Sequence, residues 1–129
     1  MEDLMKFSVN KSDFFYSLQK VIGVIPSKTT IPILSNILLT LKDSKLSIGA
    51  TDLEISINTQ CEISGNGEDG GVSVPGRKLF DIIRELPDLP ITIESDDRNH
   101  IKLSTEKGVY KFAGESESEY PQIAVEDAE

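Results

Sequence analysis

Pro75-Gly76 and Pro87 bracket the stretch that most restricts how this chain can fold. Residues 71–87 read Gly-Val-Ser-Val-Pro-Gly-Arg-Lys-Leu-Phe-Asp-Ile-Ile-Arg-Glu-Leu-Pro. The apolar run 72–74 predicts a short strand, which Pro75-Gly76 ends, and a helix follows at once. Proline suits a helix start because its missing N–H would have no partner there. Pro87 closes the helix by pushing the residue before it out of the α region. On a 3.6-residue wheel, Leu79, Phe80, Ile82, Ile83 and Leu86 gather on one side, and Arg77, Asp81, Arg84 and Glu85 on the other. Arg77 and Arg84 share one outward stripe, and Lys78 flanks it within reach of Asp81.

The same pattern occurs 65 residues earlier, counting from Phe7 to Val72. Phe7-Ser8-Val9-Asn10 is followed by Phe14, Phe15, Leu18, Val21 and Ile22. At this shift Ser8 meets Ser73, Val9 meets Val74, and Phe15 meets Phe80. Few letters are shared, so pattern repeats more than identity. Two copies of one supersecondary block sharing a core are expected.

Around these units the chain reads as strands. A strand over 4–9 leads into a helix from Lys11 to about Gly23, with Asn10 as its cap and Asp13 favouring its positive end. Tyr16, Gln19 and Lys20 lie on that helix's outer face, and the loop 24–30 carries Lys28. Strands are expected over 36–41 and 46–50, joined by a turn at 42–45. Residues 53–63 alternate, placing Leu53, Ile55, Ile57, Cys61 and Ile63 on the core side of a half-buried strand. A flexible glycine-rich loop spans 65–71. Strands over 89–94, 100–104 and 109–113 complete the second unit. The order is β-α-β-β-β twice, an α+β fold of antiparallel sheets with helices on one side. Residues 114–129, with six acidic and no basic side chains, read as a linker without packing partners.

Charge bears on partners. The formal net charge of the 129-residue chain is −9, which at first argues against nucleic acid. The helical segments 11–28 and 76–86 nevertheless hold six basic and three acidic side chains, so an acidic body carries locally positive helices. Screening removes charges beyond roughly 8 Å at physiological salt, so local sign decides which surface meets a polyanion. Ordinary solvated helix faces are the plainer reading of the same residues.

No reaction centre can be built. The loop 65–71 lacks the Gly-Lys-Ser/Thr ending of a phosphate cradle, and a strand follows it where a helix should. His100 has no Cys or His near it in sequence, so neither a metal site nor a catalytic base is read there. Asp96-Asp97 reads as an acidic hairpin tip, and Asp52 with Glu54 as plain strand decoration. Cys61, the single cysteine, reads as a buried small hydrophobe, and its solitude fits a reducing cytoplasm. No signal peptide, membrane-spanning run, metal or cofactor is read.

Three segments carry a family resemblance. Residues 30–39 (Thr-Ile-Pro-Ile-Leu-Ser-Asn-Ile-Leu-Leu), 49–54 (Gly-Ala-Thr-Asp-Leu-Glu) and 74–82 (Val-Pro-Gly-Arg-Lys-Leu-Phe-Asp-Ile) together resemble the N-terminal domain of the bacterial β sliding clamps. The likeness runs from Met5 to about Pro121, and Tyr120-Pro121 resembles the aromatic-proline pair leading out of that domain. It implies a clamp domain over 1–121, with repeats over about 4–63 and 72–113, and a linker over 122–129 to a second domain. It implies a non-enzymatic processivity subunit of DNA polymerase III that encircles duplex DNA as a homodimer ring. The replicative polymerase and the clamp loader would be its partners, docking on a pocket formed by later domains. Arg77 and Lys78 match the family's basic pair, and Lys28 stands where the family often has Arg. Lys20 and Arg84 join them as DNA-binding residues from the helical wheel. Lys107, Tyr110 and Phe112 would lie at the subunit interface. The resemblance also implies a truncated chain. The alternative from the residues alone is an unrelated α+β module that binds a partner through an edge strand.

Overall fold

In the computed structural model, which describes residues 4–122, the predicted order of elements occurs twice. The first unit is β1 (Lys6–Asn10), α1 (Lys11–Ile22), a 3₁₀ turn at Pro32–Ser35, β2 (Asn36–Lys42), β3 (Lys45–Thr51) and β4 (Ser56–Glu62). The second is β5 (Gly70–Pro75), α2 (Gly76–Glu85), β6 (Pro90–Ser95), β7 (His100–Thr105) and β8 (Gly108–Ala113). A short β9 (Glu115–Ser116) and a 3₁₀ turn at Glu117–Glu119 follow.

The two units exchange their first strands. One sheet runs β1-β6-β7-β8 and the other β4-β3-β2-β5-β9, with every neighbouring pair antiparallel. Thus β1 completes the second unit's meander and β5 completes the first. Each seam carries one of the repeated serines. Ser8 shares a 2.8 Å hydroxyl hydrogen bond with Thr92 across β1 and β6. Its counterpart Ser73, fully buried, accepts from Asn36 Nδ2 at 3.0 Å beside β2.

Inward side chains alternate along the strands, as Phe7 and Val9, Ile37, Leu39 and Leu41, and Ile91 and Ile93 show by their burial. They meet Phe14, Leu18 and Val21 of α1 and Leu79, Ile83 and Leu86 at α2 in one cluster. The 65-residue shift pairs these six helix positions one to one, and all six are buried. Phe15 and Phe80, also counterparts, stack on each other with centroids 5.2 Å apart and planes 21° apart. A residue that touches its own counterpart lies beside the local twofold axis, so this pair marks where the two halves meet.

The structure differs from expectation in four places. Residues 52–55 are the turn of the β3–β4 hairpin, so only 56–62 form strand. Asp52 Oδ1 accepts the N–H groups of Ile55 at 2.7 Å and Glu54 at 2.9 Å, which holds its carboxyl below the usual range. Leu53 takes φ +81° and, with Ile55, is about 60% exposed (59% and 61%) where burial was expected. A local side-chain acceptor has overridden the alternating pattern. The acidic segment also packs: β9 pairs with β5, and Tyr120 is buried. Its hydroxyl accepts Thr51 N–H at 3.1 Å and donates to Asn36 O at 3.3 Å. The glycine-rich loop is tied to β1 through Lys6 and Glu68, whose backbones exchange hydrogen bonds of 3.1 and 2.8 Å. Asn10 stands at the start of α1 without a side-chain capping bond, because it still pairs with Pro90 as strand. The first helix does end at Gly23 as expected, with that glycine in a right-handed conformation (φ −71°).

Replacing Tyr120 with Phe leaves a buried Thr51 N–H without its acceptor. The expected loss is about 1–3 kcal/mol, read as a lower urea midpoint at an unchanged slope.

Candidate nucleic-acid interface

The two helices form one layer over the core, so the sides turned away from the core make a common surface. On α1 that side is Ser12, Asp13, Tyr16, Gln19 and Lys20, and on α2 it is Arg77, Lys78, Asp81, Arg84 and Glu85; all ten are exposed. The Phe15–Phe80 stack joins the layer at its centre. Lys11 Nζ sits 4.8 Å from the Phe15 centroid, and the Arg84 guanidinium carbon 5.8 Å from that of Phe80. Each ring of the stack therefore has a cation beside it, both towards the end of the layer where α1 begins and α2 finishes.

Loop 24–31 brings Lys28 to the start of α2. Ile25, Pro26 and Ser27 line a groove with Ser35, Pro75, Gly76, Arg77 and Lys78, and exposed Lys28 follows directly on Ser27. Gly76 lies in close packing: a Cβ there would press on Ile25 Cδ1, the tip of a flexible side chain, and come within 3.0 Å of Ile37 Cγ2. The helix start is thus pulled against the loop, which gathers Lys28, Arg77 and Lys78 at one end of the layer. Lys20 lies in the last turn of α1, with Nζ 4.4 Å above the Tyr16 ring.

Charge pairing sorts these cations. Arg84 forms ion pairs with Asp81 at 3.4 Å and Glu85 at 3.5 Å. Asp81 therefore serves Arg84 and not Lys78, the partner expected from the wheel. Lys20, Lys28, Arg77 and Lys78 form no ion pair with any described residue. Such exposed pairs contribute little to stability, but they lower the positive potential around Arg84.

The remaining candidates lie elsewhere. Lys107 is exposed in the β7–β8 turn, while Tyr110 and Phe112 occupy β8, which among the described residues has only β7 as a neighbour. Both aromatics share the core-facing side of the sheet with their partners Leu103 and Ile101. Phe112 is half-buried and Tyr110 is 38% exposed, because the core thins towards this edge. His100 Nδ1 lies 3.4 Å from Asp96 Oδ2 at the β6–β7 tip. There Asp96 also accepts the His100 and Arg98 N–H groups, which lowers its carboxyl from the usual range. Cys61 is buried against α1, and burial raises its thiol. Among the described residues no cluster of His, Cys, Asp or Glu could hold a metal ion, and no helix is long and apolar enough to cross a membrane.

Residues 5–124 match the family described as DNA polymerase III beta subunit, N-terminal domain. The chain belongs to that family. A beta sliding clamp of Vibrio harveyi is 34% identical over 119 residues, covering 92% of this chain and 82% of the relative. That of Haemophilus influenzae is 32% identical over 122 residues, covering 92% of this chain but 32% of the relative. The crystal structure of the DNA polymerase III subunit beta from Pseudomonas aeruginosa superposes with a TM-score of 0.88 at 28% identity, covering 94% of this chain and 33% of that one. The chain thus spans about a third of the Haemophilus and Pseudomonas proteins. The clamp fold inferred from the repeat and the three segments is the fold observed.

The sequence marks Tyr16, exposed beside Lys20, only as an outer-face residue. The i, i+4 spacing of an aromatic and a lysine was the available signal.

The Phe15–Phe80 contact should behave as a coupled pair. In a double-mutant cycle, Phe15→Ala and Phe80→Ala should show a coupling of about 0.5–1.5 kcal/mol in urea unfolding.

Proposed function

We propose that this chain is the N-terminal domain of a sliding clamp, a non-catalytic processivity subunit that holds the replicative polymerase on duplex DNA. The observation that carries the reading is the helix layer, where Lys20, Lys28, Arg77 and Lys78 stand exposed without an ion-pair partner among the described residues. Lysine and arginine contacts to phosphate position a duplex without reading its sequence, as a sliding contact requires. Their attraction falls with salt because it works through counterion release. A chain of net charge −9 would repel phosphates from its other faces. Arg84 belongs to the same surface, with its effect tempered by Asp81 and Glu85.

In this reading residues 1–121 are the domain and 122–129 lead towards a second. The ring is a homodimer of longer chains, and polymerase and clamp loader dock outside this domain. The β8 edge with Lys107, Tyr110 and Phe112 meets the other subunit, which satisfies an otherwise open strand. The cytoplasm is where such a ring would act.

Persistence on DNA would come from topology, so the isolated chain should bind duplex DNA weakly and with strong salt dependence. Fluorescence anisotropy with a labelled duplex should show Arg77→Gln and Lys20→Gln each flattening the log–log salt slope by about 0.9. Asp81→Asn, which releases Arg84, should strengthen binding. Salt-resistant, tight binding by this chain would contradict the reading. When the chain is joined to the later domains of a relative, retention should be longer on circular than on linear DNA; equal retention would sink the ring.

A further inference from the structure

Tyr16 is a large aromatic side chain left 63% exposed in the middle of the helix layer. It has no counterpart in the second unit, where the 65-residue shift places Asp81. Its ring lies under the Lys20 ammonium at 4.4 Å, and its hydroxyl makes no hydrogen bond to any other described residue. Lys20 in turn forms no ion pair with a described carboxylate. Asp13, three residues before Tyr16, is the acidic group on this stripe, so the stripe becomes positive towards its Lys20 end.

We infer that Tyr16 and Lys20 act as one phosphate-contacting unit on α1, the ring holding the ammonium in place and the hydroxyl donating to the DNA backbone. The inference rests on the reading of this layer as facing duplex DNA. A lysine side chain is flexible, and fixing it on a partner costs conformational entropy. An aromatic face beneath the ammonium restricts that freedom before DNA arrives, and the attraction between cation and ring survives at an exposed site. The tyrosine hydroxyl sits at the end of a short, rigid side chain and is a recognised donor to phosphate oxygens. The two contacts differ in one measurable respect. A neutral hydroxyl displaces no counterion, whereas an ammonium does. On the second unit the counterpart positions hold Asp81 and Glu85, so the two helices are unequal. The last turn of α1 and the start of α2 lie at the same end of the layer, where Ile25 packs on Gly76, so the phosphate path should favour that end over the Arg84 end.

The test uses the 129-residue chain and a labelled duplex of about 20 base pairs, titrated from about 10 to 100 mM salt. Tyr16→Phe should weaken binding about fivefold at every salt concentration, leaving the slope unchanged. Lys20→Gln should weaken binding and flatten the slope by about 0.9. Tyr16→Ala, which removes ring and hydroxyl together, should weaken binding beyond Tyr16→Phe with the slope still intact. A merely structural tyrosine would show no such division between affinity and slope. If both Tyr16 variants bind as the wild type does while Arg77→Gln weakens binding, Tyr16 is a bystander and the DNA reading stands without it. If neither Lys20→Gln nor Arg77→Gln changes binding, or the wild type binds no duplex at the lowest salt, the DNA reading falls and takes this inference with it.

Discussion

The exchange of first strands between the two units governs the rest of the molecule. A three-stranded meander with one helix would leave an edge of the sheet open and half its apolar face uncovered. Here β1 closes the second meander and β5 closes the first, so neither half is complete alone. The seams are reinforced by Ser8 with Thr92 and by Ser73 with Asn36. That pairing gives a physical reason for a serine to recur at the same place in both units. Each hydroxyl sits in a strand whose neighbour belongs to the other half, and a polar group drawn wholly (Ser73) or partly (Ser8) out of water needs a partner to be tolerated. The exchange also brings α1 and α2 side by side, with Phe15 against Phe80 near the axis. The helix layer is therefore a consequence of sheet topology.

This layer carries the charge that the proposed function uses. Its cations fall into two groups. Lys11 and Arg84 lie over the central aromatic rings, and Arg84 is further engaged by two carboxylates. Lys28, Arg77 and Lys78 cluster where loop 24–31 meets the start of α2, and Lys20 stands on Tyr16. The first group is held close to the protein surface, while the second has no competing carboxylate among the described residues. Exposed cations of the second kind keep more of their potential for an outside anion, because an ion pair at 3.4 Å cancels field at longer range.

Much of the fold was legible because two periodicities coincide with two units. The 65-residue shift aligned helix positions that are all buried, and proline and glycine marked the boundaries of α2. Legibility ended where a single side chain overrode a pattern. Residues 53–55 continue a clean alternation, yet Asp52 captures two backbone N–H groups and turns the chain before the strand begins. The acidic composition of 114–120 concealed Tyr120, whose hydroxyl joins Thr51 and Asn36 in the interior. For the site, the wheel found the exposed stripe correctly. It could not tell that Asp81 would choose Arg84 over Lys78, since both lie within one helical turn of it.

The same local chemistry explains why a positively charged face can exist on so acidic a chain without disturbing the fold. Surface charges contribute little to stability when they are solvated, so a few unpaired cations on the helix layer cost the fold little. The core is built from aliphatic and phenylalanine side chains with Met5 and Cys61, and none of these cations belongs to it. Charge on the layer can therefore vary while the exchanged strands and the aromatic pair stay fixed. Tyr16 opposite Asp81 shows such independence within this one chain: two helices related by the repeat share every buried position compared above, yet differ in what they present outward. The constraint on a surface of this kind is placement more than number, and placement is what the Gly76 contact with Ile25 and the Phe15–Phe80 stack supply.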